Sequence, residues 1–327
     1  MMGKLPLDLL ERLVLRKKGS VDPKVMVGPM AGVDVGVVEV GGKYLISSTD
    51  PITGAEERVG WLAVHISAND VATSGARPKY LLATLLMPEG FGEKEVGFIA
   101  DEMDRAAKEL GISILGGHTE ITPGLKRPIV VATALGFTEK YVTSAMAKEG
   151  DVILMTKSAG IEGTAVLVSS YRDLLRKMGY GMVKEAEAMF ERISVVNEAL
   201  AAFDTGAVDA MHDPTEGGIL GGVMEMAIAS GLGFEVYESK VPIEQPTFEL
   251  ANLFKIDPLR LLASGSLLIA AKPWMVSEIK RALRGVKVDE IGRFTKADYV
   301  LIRRDGRREK VEGPVKDELW KVEELLG

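Results

Sequence analysis

The stretch Ser47 to Lys79, SSTDPITGAEERVGWLAVHISANDVATSGARPK, places one acid at the end of a strand and a second on the helix that follows. Tyr44 to Thr49 is rich in β-forming residues, and Pro51, which has no N–H for a ladder, is expected to stop the strand with Asp50 at its carboxyl end. From Val59 the apolar residues Trp61, Leu62, Val64, Ala68, Val71 and Ala72 recur close to the three-and-four spacing of an amphipathic helix, which Gly75 ends. Asn69 and Asp70 fall in its last turns. An acid there faces the negative end of the helix dipole, which suggests a cation nearby.

Upstream, residues 5–19 read as an amphipathic packing helix with Leu5, Leu9, Leu10, Leu13 and Val14 on one face. The β-branched run Val33 to Val40 turns through Gly41-Gly42 into the Lys43–Thr49 strand as a hairpin. Asp34 is the one charge among the first of those valines, and a charge inside an apolar strand is costly unless paired or metal-bound. Downstream, Tyr80–Met87 reads as a strand and Glu93–Leu110 as a helix stopped by Gly111. Ile112 to Leu115 then opens into a glycine-flanked loop, Gly116-Gly117-His118-Thr119-Glu120-Ile121-Thr122-Pro123-Gly124, with an imidazole and a carboxylate two residues apart. Pro128–Phe137 is a further strand.

At 327 residues the chain suits two domains of about 150 residues each. The pattern turns from strand-rich to helix-rich near Lys148–Asp151, dividing it into 1–148 and 149–327. In the second part Val152–Thr156 is a strand, Glu162–Met178 and Val183–Phe203 are helices, and Val208–Gly218 is a turn leading into a glycine-rich helix, Ile219–Ala229. There Asp213 or Thr215 would cap the helix and Glu216 would sit in its first turn. After Ser264-Gly265-Ser266 come a strand over Leu267–Ala271, a helix over Trp274–Leu283 and a β section over Val286–Ile302. The last helix, Val315–Leu326, is acidic and peripheral.

With Cys at 0 there is no disulfide, thiolate metal site or cysteine nucleophile. A net charge of −7 argues against nonspecific nucleic-acid binding, and no apolar run reaches the roughly 18 residues of a membrane helix. The expectation is a soluble, cytoplasmic protein. The loop-edge polar residues are Asp34, Asp50, Asn69, Asp70, His118, Glu120, His212, Asp213 and Glu216, mostly hard oxygen donors. Converging carboxylates need a cation to neutralise them, and oxygen-only ligands suit Mg²⁺, Mn²⁺ or Ca²⁺ rather than zinc. Mg²⁺ characteristically joins carboxylates to phosphate, so phosphate chemistry is expected. Neither a Walker phosphate loop nor a Rossmann fingerprint is present.

These residues resemble the PurM-like superfamily, named for aminoimidazole ribonucleotide synthetase, and within it the HypE-like members. STDPIT followed by WLAVHISANDVATSGARPKYLL is similar to the family's strand aspartate, helix Asn-Asp and Gly-Ala-Arg-Pro; ILGGHTEITPG resembles its Gly-Gly-acid-Thr loop, and MHDPTEGGILGGVMEMA its helix start. The resemblance implies a two-domain α/β (α+β) fold: an N-terminal sheet that forms a β-barrel across a homodimer, and a C-terminal α/β domain. It also implies ATP or another phosphate compound with Mg²⁺ or Mn²⁺, the metal held by Asp34, Asp50, Asp70 and Asp213. Asn69, Gly116, Gly117, Thr119, Asp213, Gly217 and Gly218 would line the nucleotide site, with His118, Glu120 and Asp70 catalytic. The chain departs from the pattern in having Gly32-Val33-Asp34 for Gly-Asp-Asp, His118 where relatives carry an acid, and no C-terminal cysteine of the kind on which HypE accepts a carbamoyl group.

The reading is a divalent-metal-dependent enzyme that hydrolyses or transfers phosphoryl groups from ATP or a small phosphate ester, of phosphatase or ATPase type, and the missing thiol argues that it is not a carbamoyl-transferring hydrogenase maturase. Its alternatives are an ATP-dependent ligase or small-molecule kinase, and a catalytically silent nucleotide-binding dimer serving a maturation partner.

Overall fold

The computed structural model describes every residue except 1, 2, 6, 56, 176–178 and 327, and only the backbone of Asp8. It divides into two compact units, one made of Met1–Val21, Gly28–Val33 and Val142–Gly327, the other of Asp22–Val27 and Asp34–Tyr141. The fold is mixed α/β with one sheet in each unit, a PurM-like two-domain arrangement. No helix among the described residues is long and apolar enough to cross a membrane.

The N-terminal helix is shorter than its apolar spacing implied. It comprises α1 (Leu7–Leu10) and a π-turn over Glu11–Leu15 in which nothing is buried, so Leu13 and Val14 are surface residues and not packing.

The smaller unit holds β1 (Val25–Val27), β2 (Gly36–Val40), β3 (Lys43–Ile52), α2 (Val59–Thr73), β4 (Arg77–Met87), α3 (Glu93–Leu110), β5 (Ser113–Ile121) and β6 (Ile129–Thr138). Its sheet runs β1-β2-β3-β6-β4-β5, and α2 packs on β3, β4 and β6 with α3 against it. Three expectations are corrected here. Asp50 does not end its strand: β3 continues through Pro51 to Ile52, paired with β6. β2 covers β3 only as far as Ser47, so Pro51 sits where one side of the strand is open and its missing N–H costs no ladder bond. Asp34 lies before β2 and is exposed, not a charge inside an apolar strand.

The third correction concerns α2 itself. All of its 15 residues are buried, so it is a core helix enclosed on every side and not an amphipathic one. Gly60 permits this, because a Cβ there would overlap the carbonyl of Ile99 on α3. His65 is buried beside Trp61, ring centroids 4.3 Å apart.

The glycine loop is also largely a strand. β5 runs parallel to β4 through Gly116, Gly117, His118 and Glu120 as an exposed sheet edge, with a register shift opposite Leu81 and Leu82. A Cβ on Gly117 would overlap the Ala83 carbonyl, so glycine serves close backbone approach here.

In the larger unit the chain continues with β7 (Val152–Thr156), α4 (Ile161–Ser170), α5 (Arg172–Leu175), α6 (Tyr180–Glu187), α7 (Val196–Asp204) and β8 (Val208–His212). Then follow α8 (Gly218–Ser230), β9 (Gly233–Tyr237), α9 (Gln245–Phe254), β10 (Leu268–Ala271), α10 (Val276–Ala282), β11 (Val288–Thr295), β12 (Tyr299–Ile302), β13 (Arg308–Lys310) and α11 (Glu318–Leu326). The sheet order is β13-β12-β9-β11-β7-β10-β8. Around it Ile153, Met155, Leu220, Val223, Phe234, Leu268 and Phe294 build the core. The expected Glu162–Met178 helix breaks at Tyr171, and its last residues lie outside the described ones. Val183–Phe203 is not one helix but α6, a 3₁₀ turn over Ala188–Arg192 and α7, although its apolar stripe is buried throughout.

Candidate functional site

In the smaller unit α2 carries Asp70 into the core, where its side chain is 3% exposed. The hydroxyl of Ser48 donates to Asp70 Oδ2 at 2.6 Å and lies 2.9 Å from the Asp34 carbonyl oxygen. One serine thus ties the two signature segments together through the backbone of Asp34 and the carboxylate of Asp70. Thr73 donates to the Asp70 carbonyl at 2.8 Å, which closes the helix end. The sequence reading passed over Ser48. Its signal was the strand alternation: Ser48 points inward between outward-facing Ser47 and Thr49, opposite a helix acid.

On β5, His118 and Glu120 share one face, as residues two apart on a strand must. His118 Nε2 is 3.1 Å from Glu120 Oε2, and the Thr122 hydroxyl donates to Glu120 Oε1 at 2.9 Å. The hydrogen bond from His118, then that from Thr122, hold the Glu120 carboxyl below its usual range. The pair is exposed and preformed on the sheet edge.

The larger unit holds the second group. Asp213 is 0% exposed, in the turn between β8 and α8. Neither it nor Thr215 caps α8, which corrects the expectation. The N-cap is Gly217, left-handed at φ 82°, and its amide donates to Asp317 Oδ2 at 2.7 Å. Glu216 is not in the helix but accepts the Lys4 amide at 2.8 Å. A Cβ on Gly218 would stand 2.6 Å from the Leu259 carbonyl oxygen and 2.7 Å from that of Leu261. Backbone packing therefore accounts for that glycine.

Behind the turn lie buried acids the sequence reading left out. Burial pushes the Glu162 carboxyl up to about 8, with Asp317, Glu216 and Asp213 adding repulsion against a contribution from Ser264. Burial likewise raises Asp317 to about 7 despite the amides of Leu319, Gly217 and Leu262. Glu162 was visible as a lone acid in the apolar run ILMTKSAGIEGTAVLV, whereas nothing local marked Asp317, which the reading placed on a peripheral helix. His212 Nε2 lies 2.9 Å from Glu225 Oε2, and Lys4 Nζ lies 2.8 Å from Glu225 Oε1. Burial works against the charge on Glu225, but Lys4 and His212 outweigh it and hold the carboxyl down.

No three His, Asp or Glu side chains among the described residues are grouped so as to hold a metal ion. Asp34, Asp50 and Asp70 belong to one unit and Asp213 to the other.

Two family models cover most of the chain: AIR synthase related protein, N-terminal domain, over residues 32–138, and its C-terminal domain over 148–303. The chain belongs to the AIR synthase related protein family, and its similarities within that family run to hydrogenase maturation proteins. It is 26% identical to a putative hydrogenase expression/formation protein of Methanocaldococcus jannaschii, across 98% of this chain and 97% of that one. It is 30% identical to the carbamoyl dehydratase HypE of Rhizobium leguminosarum bv. viciae, across 74% and 70%.

Two solved structures show the same fold. One is a HypE-HypF complex, with a TM-score of 0.78 and 22% identity, covering 94% of this chain and 99% of that one. The other is HypE in complex with ATP, with a TM-score of 0.72 and 21% identity, covering 93% of each. These findings overturn the expectation of a phosphatase or ATPase outside hydrogenase maturation. The missing cysteine removes a thiol from this chain and leaves its similarity to those proteins as it stands.

Proposed function

We propose that this protein is an ATP-using enzyme of hydrogenase formation, a dehydratase of the carbamoyl-to-nitrile type acting on a group presented by a partner protein. The observation that carries the reading is the near end-to-end match to a hydrogenase expression/formation protein. The chemistry agrees with ATP as co-substrate. A carbamoyl group loses water to become a nitrile only if its oxygen becomes a good leaving group, and the γ-phosphoryl of ATP makes it one. The oxygen departs in inorganic phosphate, ADP is left, and the two nitrogen protons pass to bases. Because the sequence contains no cysteine, the carbamoyl group would ride on a thiol of another chain, and a HypF-like protein is the partner that the relatives point to.

Asp34, Asp50 and Asp70 are proposed to hold a divalent ion, with Asn69 beside them and Gly116, Gly117 and Thr119 along the phosphates. Mg²⁺ suits such a set, because it takes one or two carboxylates and completes its shell with phosphate oxygens and water. The ion would enter with the nucleotide and neutralise its charge. Asp70 and the His118–Glu120 pair are proposed as the acid–base groups. In the larger unit, Asp213, Gly217 and Gly218 are proposed nucleotide contacts. A homodimer through the smaller unit's sheet is supported by Tyr80, Leu82, Ile114 and Leu115, all substantially exposed on β4 and β5.

The test is to mix the purified protein with a carbamoylated HypF-like partner, ATP and Mg²⁺, and follow nitrile formation by its infrared stretch alongside ADP release. The expected result is nitrile and ADP in equal amounts, both lost in Asp70→Asn. ATP consumption with no nitrile, at the same rate without partner, would overturn the reading.

A further inference from the structure

Both end segments of the chain bear on the turn before α8, within the larger unit. Asp317 is 8% exposed, and while its Oδ2 accepts the Gly217 amide, its Oδ1 accepts the Leu319 amide at 2.7 Å. One carboxylate therefore joins the start of α8 to the start of α11, across 100 residues of sequence. The Val315 carbonyl oxygen stands 2.9 Å from where a Cβ on Gly217 would be, so the same segment lies directly over the turn. From the other end, the Lys4 amide is bonded to Glu216, and a Cβ on Gly3 would stand 2.8 Å from Trp320 Nε1 on α11. A helix start in the left-handed conformation has no side-chain cap of its own here, and its buried amide needs the acceptor that α11 brings.

We propose that Asp317 is a positioning residue: by accepting the Gly217 amide it holds the Asp213–Gly218 turn in its nucleotide-receiving form, so that docking of α11 and nucleotide affinity are coupled. The nucleotide half of this inference rests on the reading of that turn as a nucleotide contact. Glu216 from the turn acts on Asp317, and Asp317, Glu216 and Asp213 all act on Glu162 of α4, so acids crowd this end of the unit. Its carboxyl is raised to about 7, chiefly by burial. A raised carboxyl favours the folded arrangement when protonated, so docking of this segment costs more as pH rises through that value, although the amides of Leu319 and Gly217 favour the charged form. A partner that took hold of α11 would act on the turn by the same route.

The experiment measures amide exchange in the full chain, corrected for intrinsic rates, at pH 6 and pH 8 for wild type, Asp317→Ala and Asp317→Asn, with calorimetric titration of ATP plus Mg²⁺. In the wild type, protection at residues 217–222 and 318–326 should fall together between the two pH values. Asp317→Ala should lose protection at both segments and bind ATP roughly tenfold more weakly, as expected for a lost buried hydrogen bond. Asp317→Asn keeps one acceptor oxygen of the two and no titrating proton, so it should restore part of the protection and flatten its pH dependence. Unchanged protection at 217–222 in Asp317→Ala, with α11 alone loosened, would overturn the positioning role. Loss of turn protection without any change in ATP affinity would overturn the coupling. A wild-type protein that binds no ATP would sink the nucleotide reading, while the exchange data would still decide the staple.

Discussion

Ser48 shows how much can rest on one small side chain. It sits 2.6 Å from a carboxylate at the end of a buried helix, where the dipole opposes negative charge, and a hydroxyl donor offsets part of that penalty. Ser48→Ala should destabilise the protein by about 1–3 kcal/mol, the range for losing a buried hydrogen bond to a charged group. Denaturant unfolding would check this, and Ser48→Thr should recover part of the loss. A Ser48→Ala protein as stable as wild type would show that the bond to Asp70 is of no structural consequence. At the same scale, Asp34 contributes to this cluster through its backbone carbonyl, which leaves its side chain exposed.

Among the elements, β5 departs most from its local reading. Two successive glycines usually signal a loop, but here the strand continues because Gly117 lets its backbone close on Ala83 of β4. Its neighbour has no such constraint: no atom lies within 4 Å of a Cβ placed on Gly116. Gly117→Ala should therefore break the β4–β5 pairing and cost more than Gly116→Ala, whose cost is confined to the strain of its φ of 145°, about 1–3 kcal/mol. Thermal unfolding of the two variants compares them directly. Because the pairing also carries His118 and Glu120, Gly117→Ala should disturb that pair as well. Equal losses in the two variants would mean that the close approach does not matter.

For the whole molecule, the charged groups of the larger unit define a stability window in pH. Glu162 is raised to about 8 and Asp317 to about 7, chiefly by burial, so stability is full below their unfolded values near 4.5 and 3.8 and is lost as pH rises through 7 to 8. Glu309, held low by Arg303, and Glu235, held low by Arg308 and Arg293, act in the opposite sense. Their contribution is present above the unfolded value of 4.5 and is lost as pH falls below it. Stability should therefore peak in mildly acidic solution. Glu162→Gln should leave the acid limb unchanged and raise stability at pH 9 by about 2 kcal/mol, read from thermal unfolding across pH. No gain at pH 9 would show that Glu162 is charged at little cost in the folded protein.

The sequence by itself determined the order β2, β3, α2, β4, α3 (though not β1), the positions of Asp70 and Asn69 in the last turns of α2, and the family. Each is local: β-branched runs, helical spacing, terminating glycines and contiguous motifs are all set by neighbours along the chain. Tertiary structure alone decided that α2 is buried on every side, since spacing cannot report how many partners surround a helix. It also decided that β3 passes through Pro51, because only the end of β2 leaves that side of the strand open. The same holds for the acids. Asp317 meets Gly217 across 100 residues of sequence, and burial, not composition, moves its proton affinity and that of Glu162.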